Sequence, residues 1–296
     1  MAAGADASEL SEVNEVIDVP GWPLDDRGAA YGDGLFETVL VRDGQPQLWL
    51  AHVERLARGC AVLGIPVPER AELERLLAAA PPGLQVLKLV LTRGSGGRGY
   101  RPPLPPTPRL RHQWLPFAPD TRNWVEGVRV RLCHLRLGSQ PLLAGLKHLN
   151  RLENVMARAE WSDDAIAEGL LTDSDDRLVE ATAMNLFWQR DGRLQTPWLG
   201  RCGVAGTLRD TLIERLGIDE VDVSVNELRK ASAVWVGNSV QGIWPVRDLE
   251  DAEGVALANW SLNSVHRAFQ AEAHALLGFE TCFEACFDTR FDNLGK

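Results

Sequence analysis

The chain has 296 residues, of which 45% are hydrophobic and 24% charged, and its formal net charge is −10. That length suffices for one large or two ordinary soluble domains with a real core. The acidic balance argues against nucleic acid as a partner, and no apolar run reaches the roughly 18 residues of a membrane span.

The N-terminus, MAAGADASELSEVNEV, has neither the basic nor the apolar region of a secretory signal. The five cysteines (Cys60, Cys133, Cys202, Cys282 and Cys286) are odd in number and form no CxxC, so they read as reduced thiols of a cytoplasmic protein. Cys282 and Cys286 stand four apart on a predicted helix, without partners that would complete a metal site. The six histidines show no ligand spacing either, and no metal is expected.

In chain order, residues 1–20 read as a loose extension. A Gly-rich turn, a strand over 35–42, an Asp43-Gly44 hairpin turn and a second strand follow. Val53, Leu56, Cys60 and Leu63 have helical spacing, and AELERLLAAA predicts a second helix that Pro81-Pro82 ends. LQVLKLVLT is a strand, RGSGGRGYRPPLPPTPRL a loop that proline keeps out of helix, and 110–117 a further extended stretch. FAPDTRNWVEG reads as a linker. Beyond it come a strand in GVRVRLCHLRL, a helix in HLNRLENVMARAEW, short strands near 168–171 and in LVEATAMN and LFWQR, and a loop into a helix at CGVAGTLRDTLIERLG. A buried strand, ASAVWVGNS, and a late helix, SLNSVHRAFQAEAHALL, complete the series. Strands and helices mix in both halves. The expectation is an α/β fold of two mixed α/β domains, 1–120 and 121–296.

Three small-residue turns bear on chemistry. Gly94-Ser95-Gly96-Gly97-Arg98-Gly99 follows a strand but runs into prolines, not into the helix a dinucleotide fingerprint requires. It reads either as a solvated surface loop or as a mobile loop offering Arg93 and Arg98 to a carboxylate. Gly203-Val204-Ala205-Gly206-Thr207 does enter a helix, and is either an ordinary helix start or a phosphate seat built from free N–H groups. Val236-Gly237-Asn238-Ser239 ends a buried strand and is either a plain turn or a second set of donors.

Of 31 basic residues only four are lysines: Lys88, Lys147, Lys230 and Lys296. Lys147 lies just ahead of a predicted helix, either as a surface lysine or as one whose amine, once desolvated, becomes a nucleophile that arginine cannot replace. Glu180, in LVEATAMN, is either a turn-edge acid or a partner for a ring nitrogen. A nucleophilic lysine, a carboxylate and a phosphate cup are together what pyridoxal phosphate requires.

The stretch Arg27-Gly28-Ala29-Ala30-Tyr31-Gly32-Asp33-Gly34-Leu35-Phe36-Glu37-Thr38 resembles the opening of the fold-type IV pyridoxal-phosphate enzymes. His52-x-x-Arg55-Leu56, Lys147, Glu180 to Phe187, Gly206-Thr207-Leu208-Arg209 and Asn238-Ser239 through Pro245 follow in that family's order, over about residues 20–250. The resemblance implies a cofactor held between the two domains. It implies that Lys147 holds pyridoxal phosphate through its amine and moves protons, and that Arg55 grips the phosphate. Glu180 would pair with the pyridine nitrogen, Thr207 and Leu208 would offer backbone N–H groups, and Ser239 and Val240 would complete the cup. Within the family, RGSGGRGY and GLKHLNRLENV resemble the aminodeoxychorismate lyases, which release 4-aminobenzoate and pyruvate for folate synthesis. The D-amino acid transaminases carry Tyr in place of Phe36 and His in place of Tyr100. Phe36, Thr38, Arg98 and Tyr100 are accordingly substrate-side candidates. An aminotransferase acting on D- or branched-chain amino acids is the rival reading, and the family implies a homodimer with its site near the subunit interface. Residues 1–20 and the cysteine-bearing tail match nothing in the resemblance.

Overall fold

The computed structural model describes residues 22–291, so the expected loose extension at 1–20 lies outside the described residues. The first part of the chain comprises α1 (Arg27–Tyr31), β1 (Gly34–Arg42), β2 (Gln45–Pro46), α2 (Trp49–Leu63), α3 (Arg70–Ala78), β3 (Leu84–Thr92) and β4 (Arg109–Pro116). Then follow α4 (Thr121–Glu126), β5 (Val128–Leu137), α5 (Leu152–Arg158), β6 (Ile166–Asp173), β7 (Leu178–Ala181), β8 (Asn185–Arg190) and β9 (Arg193–Pro197). The remainder is α6 (Thr207–Leu216), β10 (Asp219–Val221), α7 (Val225–Leu228), β11 (Ala233–Asn238), β12 (Gly242–Glu250), β13 (Ala256–Asn259), α8 (Ser264–Ala275) and α9 (Glu280–Phe291).

Two sheets organise the molecule. The smaller is antiparallel, in the order β2-β1-β3-β4. Its hairpin turn is the expected one, with φ of 46° at Asp43 and 78° at Gly44, and Asp-Gly suits such a turn. The second strand is shorter than expected. Pro46 has no N–H to extend the ladder, and Leu48, at φ 52°, turns the chain into α2. Leu56 and Cys60 of α2 pack on Leu35 and Leu91, while Val39, Val41, Leu87 and Leu89 close against Leu73 of α3.

The larger sheet is mixed, in the order β10-β9-β8-β11-β12-β5-β6-β7, with β13 added to β12. Ala181 N–H donates to Met184 C=O at 2.7 Å, which folds β7 back toward β8 and curls the sheet. Its core joins Leu170, Leu186, Trp188, Val234 and Trp235 to Leu208 and Leu212 of α6 and Phe269 of α8. These strands are buried on both faces, so they read as continuous apolar runs.

Several expectations are corrected. The Gly-rich turn before β1 contains a short helix, capped by Asp26, whose carboxylate accepts from Gly28 N–H at 2.8 Å. The supposed linker holds α4. Its Trp124 is fully buried, donates to Gln241 C=O at 2.9 Å and packs on Phe279 and Phe283. The cysteine-bearing tail therefore has a packing role, through α9. The helix expected from His148 begins only at Leu152. The preceding residues are extended and pair with β1, with Phe36 N–H donating to Lys147 C=O and Leu149 N–H to Gly34 C=O, both at 3.0 Å.

Candidate active site

That pairing places Lys147 at the seam between the two sheets. Its amine lies 4.3 Å from the centre of the Phe36 ring and makes no hydrogen bond or ion pair among the described residues. Burial lowers its pKa to about 8, helped by the positive charges of Arg55 and Arg151, while Glu37 and Glu180 pull the other way. About a tenth of this amine is therefore unprotonated at pH 7, far more than for an ordinary lysine.

Behind Lys147 lies a buried charged network. Arg55 on α2 donates from Nε to Glu37 Oε1 at 2.8 Å and from Nη2 to Glu37 Oε2 at 2.5 Å. Its Nη1 reaches Ala205 C=O at 3.0 Å. His52, one turn earlier, sits between Glu37 Oε2 (Nδ1, 2.7 Å) and the Thr207 hydroxyl (Nε2, 3.3 Å). Burial alone would raise the Glu37 carboxyl. The Arg55 charge and hydrogen bonds, with His52, outweigh it and hold the pKa at about 2. Burial pushes His52 down against the pull of Glu37.

The N-terminus of α6 faces this network. Its cap, Gly206, offers no side chain, and the N–H groups of Thr207 and Leu208 find no acceptor among the described residues. They are the orphan donors of a ten-residue helix, which favour an anion. The cap is also fixed by space, because a Cβ on Gly206 would lie 2.0 Å from Asn185 Oδ1. Asn185 in turn donates to Val204 C=O at 2.9 Å. Ser239 is buried as a residue, and its hydroxyl has no hydrogen-bond partner among the described residues. Val240 differs from expectation. Its N–H donates to Asn238 Oδ1 at 2.9 Å, because that side chain caps the tight turn from β11 into β12.

Glu180, buried on β7, accepts from Val204 N–H at 2.8 Å and from Asn154 at 3.5 Å. Burial raises its pKa, opposed by Arg151, those two donors and Lys147. Next to it, a cavity of about 270 Å³ opens among His148, Arg151, Cys202 and Gly203.

Phe36 and Thr38 are both half-buried and lie on one face of β1, the face that meets Lys147. Arg93 is not free for substrate. It is buried, and it forms a two-pronged pair with Asp33 (2.8 and 3.0 Å) that holds the Asp33 carboxyl below its usual range. Arg98 and Tyr100 are exposed, and no contact joins either to Lys147 or Glu180 within the chain. Tyr100 packs against Tyr31, with ring centres 5.4 Å apart and planes tilted by 59°. Among the described residues no group of three or more His, Cys, Asp or Glu side chains is placed to hold a metal.

Residues 34–249 match the amino-transferase class IV family. The chain belongs to that family. It is 37% identical to an aminodeoxychorismate lyase of Vibrio harveyi over 239 residues, 78% of this chain and 88% of that protein. The structure of 4-amino-4-deoxychorismate lyase from Pseudomonas aeruginosa superposes with a TM-score of 0.79 at 46% identity, covering 86% of this chain and 95% of that one. A putative branched-chain-amino-acid aminotransferase of Methanocaldococcus jannaschii is 27% identical over 76% of this chain and 81% of its own length.

The sequence reading of this class IV site gave no role to Glu37, His52, Arg151, Asn154 or Asn185. One signal was present. Glu37 occupies the same strand phase as Leu35, Val39 and Val41, all buried, and a carboxylate in an apolar phase requires a buried partner. His52 and Arg55, three apart on α2, are that partner pair.

Proposed function

We propose that this protein is a pyridoxal-phosphate-dependent lyase that converts 4-amino-4-deoxychorismate to 4-aminobenzoate and pyruvate. The observation that carries the reading is the Lys147 amine, without a partner and lowered to about 8, set in a seam with Glu180 and the orphan donors of α6. The relatives of highest identity named above are lyases of that name.

The residues present fit the cofactor. Lys147 would hold it covalently. Thr207 and Leu208 N–H groups, the Ser239 hydroxyl and the two N–H groups that Arg55 has left would take its phosphate. Val240 would join only if Asn238 released its N–H. When bound, pyridoxal phosphate supplies an electron sink for a carbanion at the substrate carbon bearing nitrogen. Glu180 would hold a proton against the pyridine nitrogen, a task suited to a buried carboxyl with a raised pKa. Lys147 Nζ would take the proton from the nitrogen-bearing ring carbon. The ether C–O bond then breaks with its electron pair on the leaving oxygen, the enolpyruvate takes up at its methylene carbon a proton equivalent to the one Lys147 removed and becomes pyruvate, and the aromatic ring remains as 4-aminobenzoate. Product and substrate atoms balance without water or a keto acid.

Phe36 and Thr38 would line the substrate side of this pocket. We assign the working unit as a homodimer in which the loop with Arg98 and Tyr100 serves a substrate carboxylate near the interface. Leu152, Val155 and Met156 of α5 are exposed together, as are Tyr100 and Leu104, and covered apolar surface of this kind suits a symmetric contact. We place the domain division at residue 120, between the two sheets, and the reaction in the cytoplasm. Unpaired cysteines support that placement, as does the absence, among the described residues, of any helix long and apolar enough to cross a membrane.

The test is incubation with 4-amino-4-deoxychorismate and no keto acid. Sustained release of 4-aminobenzoate and pyruvate is expected, with borohydride fixing the cofactor to Lys147. Turnover that demands a keto acid acceptor would establish an aminotransferase instead.

A further inference from the structure

Three consecutive carbonyls around Lys147 are each held by a donor from elsewhere. Arg151 Nη2 donates to Leu146 C=O at 2.9 Å, Arg151 Nε donates to His148 C=O at 3.0 Å, and Phe36 N–H takes the Lys147 carbonyl between them at 3.0 Å. One guanidinium thus grips the chain on both sides of the lysine. Arg151 is the N-cap of α5, and its C=O accepts from Val155 N–H at 3.0 Å, so the grip is anchored to a helix. The fork matters, because a lysine ammonium at this position has no planar pair of donors to span two carbonyls.

The charge of Arg151 is also unusual. It is half-buried, yet no carboxylate stands within ion-pair distance among the described residues. Its two hydrogen bonds go to carbonyls, which do not neutralise its charge. The groups that act electrostatically on the Lys147 amine are Arg55 from α2, Glu37 from β1, Glu180 from β7 and Arg151, with His52 of α2 beside them. Removing Arg151 would take away one of the two cations among them and leave both carboxylates.

We propose that Arg151 is a positioning residue for the Lys147 amine, clamping the backbone on either side so that the amine meets cofactor and substrate from one fixed direction. The proposal rests on Lys147 as the cofactor-bearing lysine. A lysine held this way loses little orientational freedom before reaction, and small misplacements of a catalytic group cost one to two orders of magnitude in rate.

The experiment compares Arg151→Lys and Arg151→Gln holoenzymes with the unsubstituted protein. The readouts are thermal unfolding, kcat and KM, and the pH midpoint of the cofactor's visible absorbance. Borohydride reduction of the unsubstituted holoenzyme comes first. A label on any residue other than Lys147 removes the premise, and is seen before any variant is made. Given the label on Lys147, Arg151→Lys should lower kcat by about tenfold with KM changed less than about twofold, the mark of lost positioning. Arg151→Gln should lower kcat at least as far and also raise the absorbance midpoint, since a cation near the lysine nitrogen is gone. A kcat for Arg151→Lys within about twofold of the unsubstituted enzyme overturns the proposal. So does a fall in melting temperature with kcat, measured well below the melt, unchanged in both variants. Should Arg151→Gln fail to fold, Arg151→Lys decides alone.

Discussion

Glu37 and Arg55 form a two-pronged ion pair sealed from solvent, and the free arm of the same guanidinium crosses to the Ala205 carbonyl at the entrance of α6. The pair therefore does more than neutralise two charges. It sets the distance between the small sheet, which carries Phe36 and Thr38, and the helix terminus whose N–H groups await an anion. His52 adds a second link between the same two elements through Thr207.

Glu37→Gln should expose this coupling. Breaking a buried pair by neutralising one partner costs about 3–5 kcal/mol, since the other charge stays buried. The variant should unfold at lower temperature in calorimetry and retain pyridoxal phosphate less well in equilibrium dialysis. Glu37→Gln combined with Arg55→Met should recover much of the stability but none of the cofactor retention. The pH sign follows from a folded pKa held at about 2 against 4.5. The contribution of Glu37 is full above pH 4.5 and is lost as pH falls toward 2. A Glu37→Gln protein that melts with the parent would show that the pair contributes nothing.

Gly206→Ala tests the cap of α6 without touching a charge. Gly206 has φ −69°, so alanine suffers no backbone strain there, and the obstacle it meets is the Asn185 side chain, with Oδ1 at 2.0 Å. The side chain must move, and its hydrogen bond to the C=O of Val204, the same residue whose N–H serves Glu180, goes with it. Dialysis should give a cofactor dissociation constant raised about tenfold or more, corresponding to about 1.4 kcal/mol. Retention equal to the parent would mean that the loop absorbs the methyl without shifting its donors.

Much of this arrangement was legible in the sequence because its signals are local. Asp43-Gly44 marks its own hairpin, Gly206-Thr207 marks a helix start, and a rare lysine marks itself against a background of arginine. The misreadings involve distant contacts. Arg93 and Arg98 sit in the same glycine-rich stretch, yet Arg93 is tied to Asp33, sixty residues earlier in the chain. Trp124 lies among polar and proline-rich residues typical of a linker, and His274, Phe279 and Phe283, far later in the chain, help give it a core to enter. The segment at Lys147 carries a helix-like pattern but is claimed by the edge of β1, since backbone pairing there satisfies groups that a helix start would leave open.

Glu168 on β6 is a further buried carboxyl with a measurable signature. Burial raises its pKa to about 6 despite the Thr182 hydroxyl at 2.5 Å and nearby backbone donors. The folded chain binds this proton more tightly than the unfolded chain, so stability falls as pH rises from 4.5 to about 6 and is level beyond. Glu168→Gln, which keeps the shape and removes the charge, should stabilise the protein at pH 7 by up to about 2 kcal/mol and have no effect near pH 4. Urea titrations at the two pH values would check it. Equal destabilisation at both would indicate that glutamine fails to satisfy the donors around Thr182.

Lys147 gives the sharpest test, because its function and its cost to stability have the same origin. In the cofactor-free protein its amine has a pKa of about 8, against 10.5 in the unfolded chain. Below pH 8 the lysine is protonated in both states, and the folded state carries a desolvated ammonium flanked by Arg55 and Arg151. Between 8 and 10.5 the folded chain has released the proton while the unfolded chain still holds it, so stability rises with pH. Above 10.5 the penalty is gone. Lys147→Met, of similar length and without charge, should therefore be more stable than the parent at pH 7 by up to about 3 kcal/mol, with the difference shrinking through pH 8 to 10. Urea unfolding of both cofactor-free proteins across that range measures it directly. A difference that stays constant with pH would assign the gain to packing against Phe36 rather than to charge. It would also mean that the Lys147 amine is not held ready, near neutrality, to move a proton.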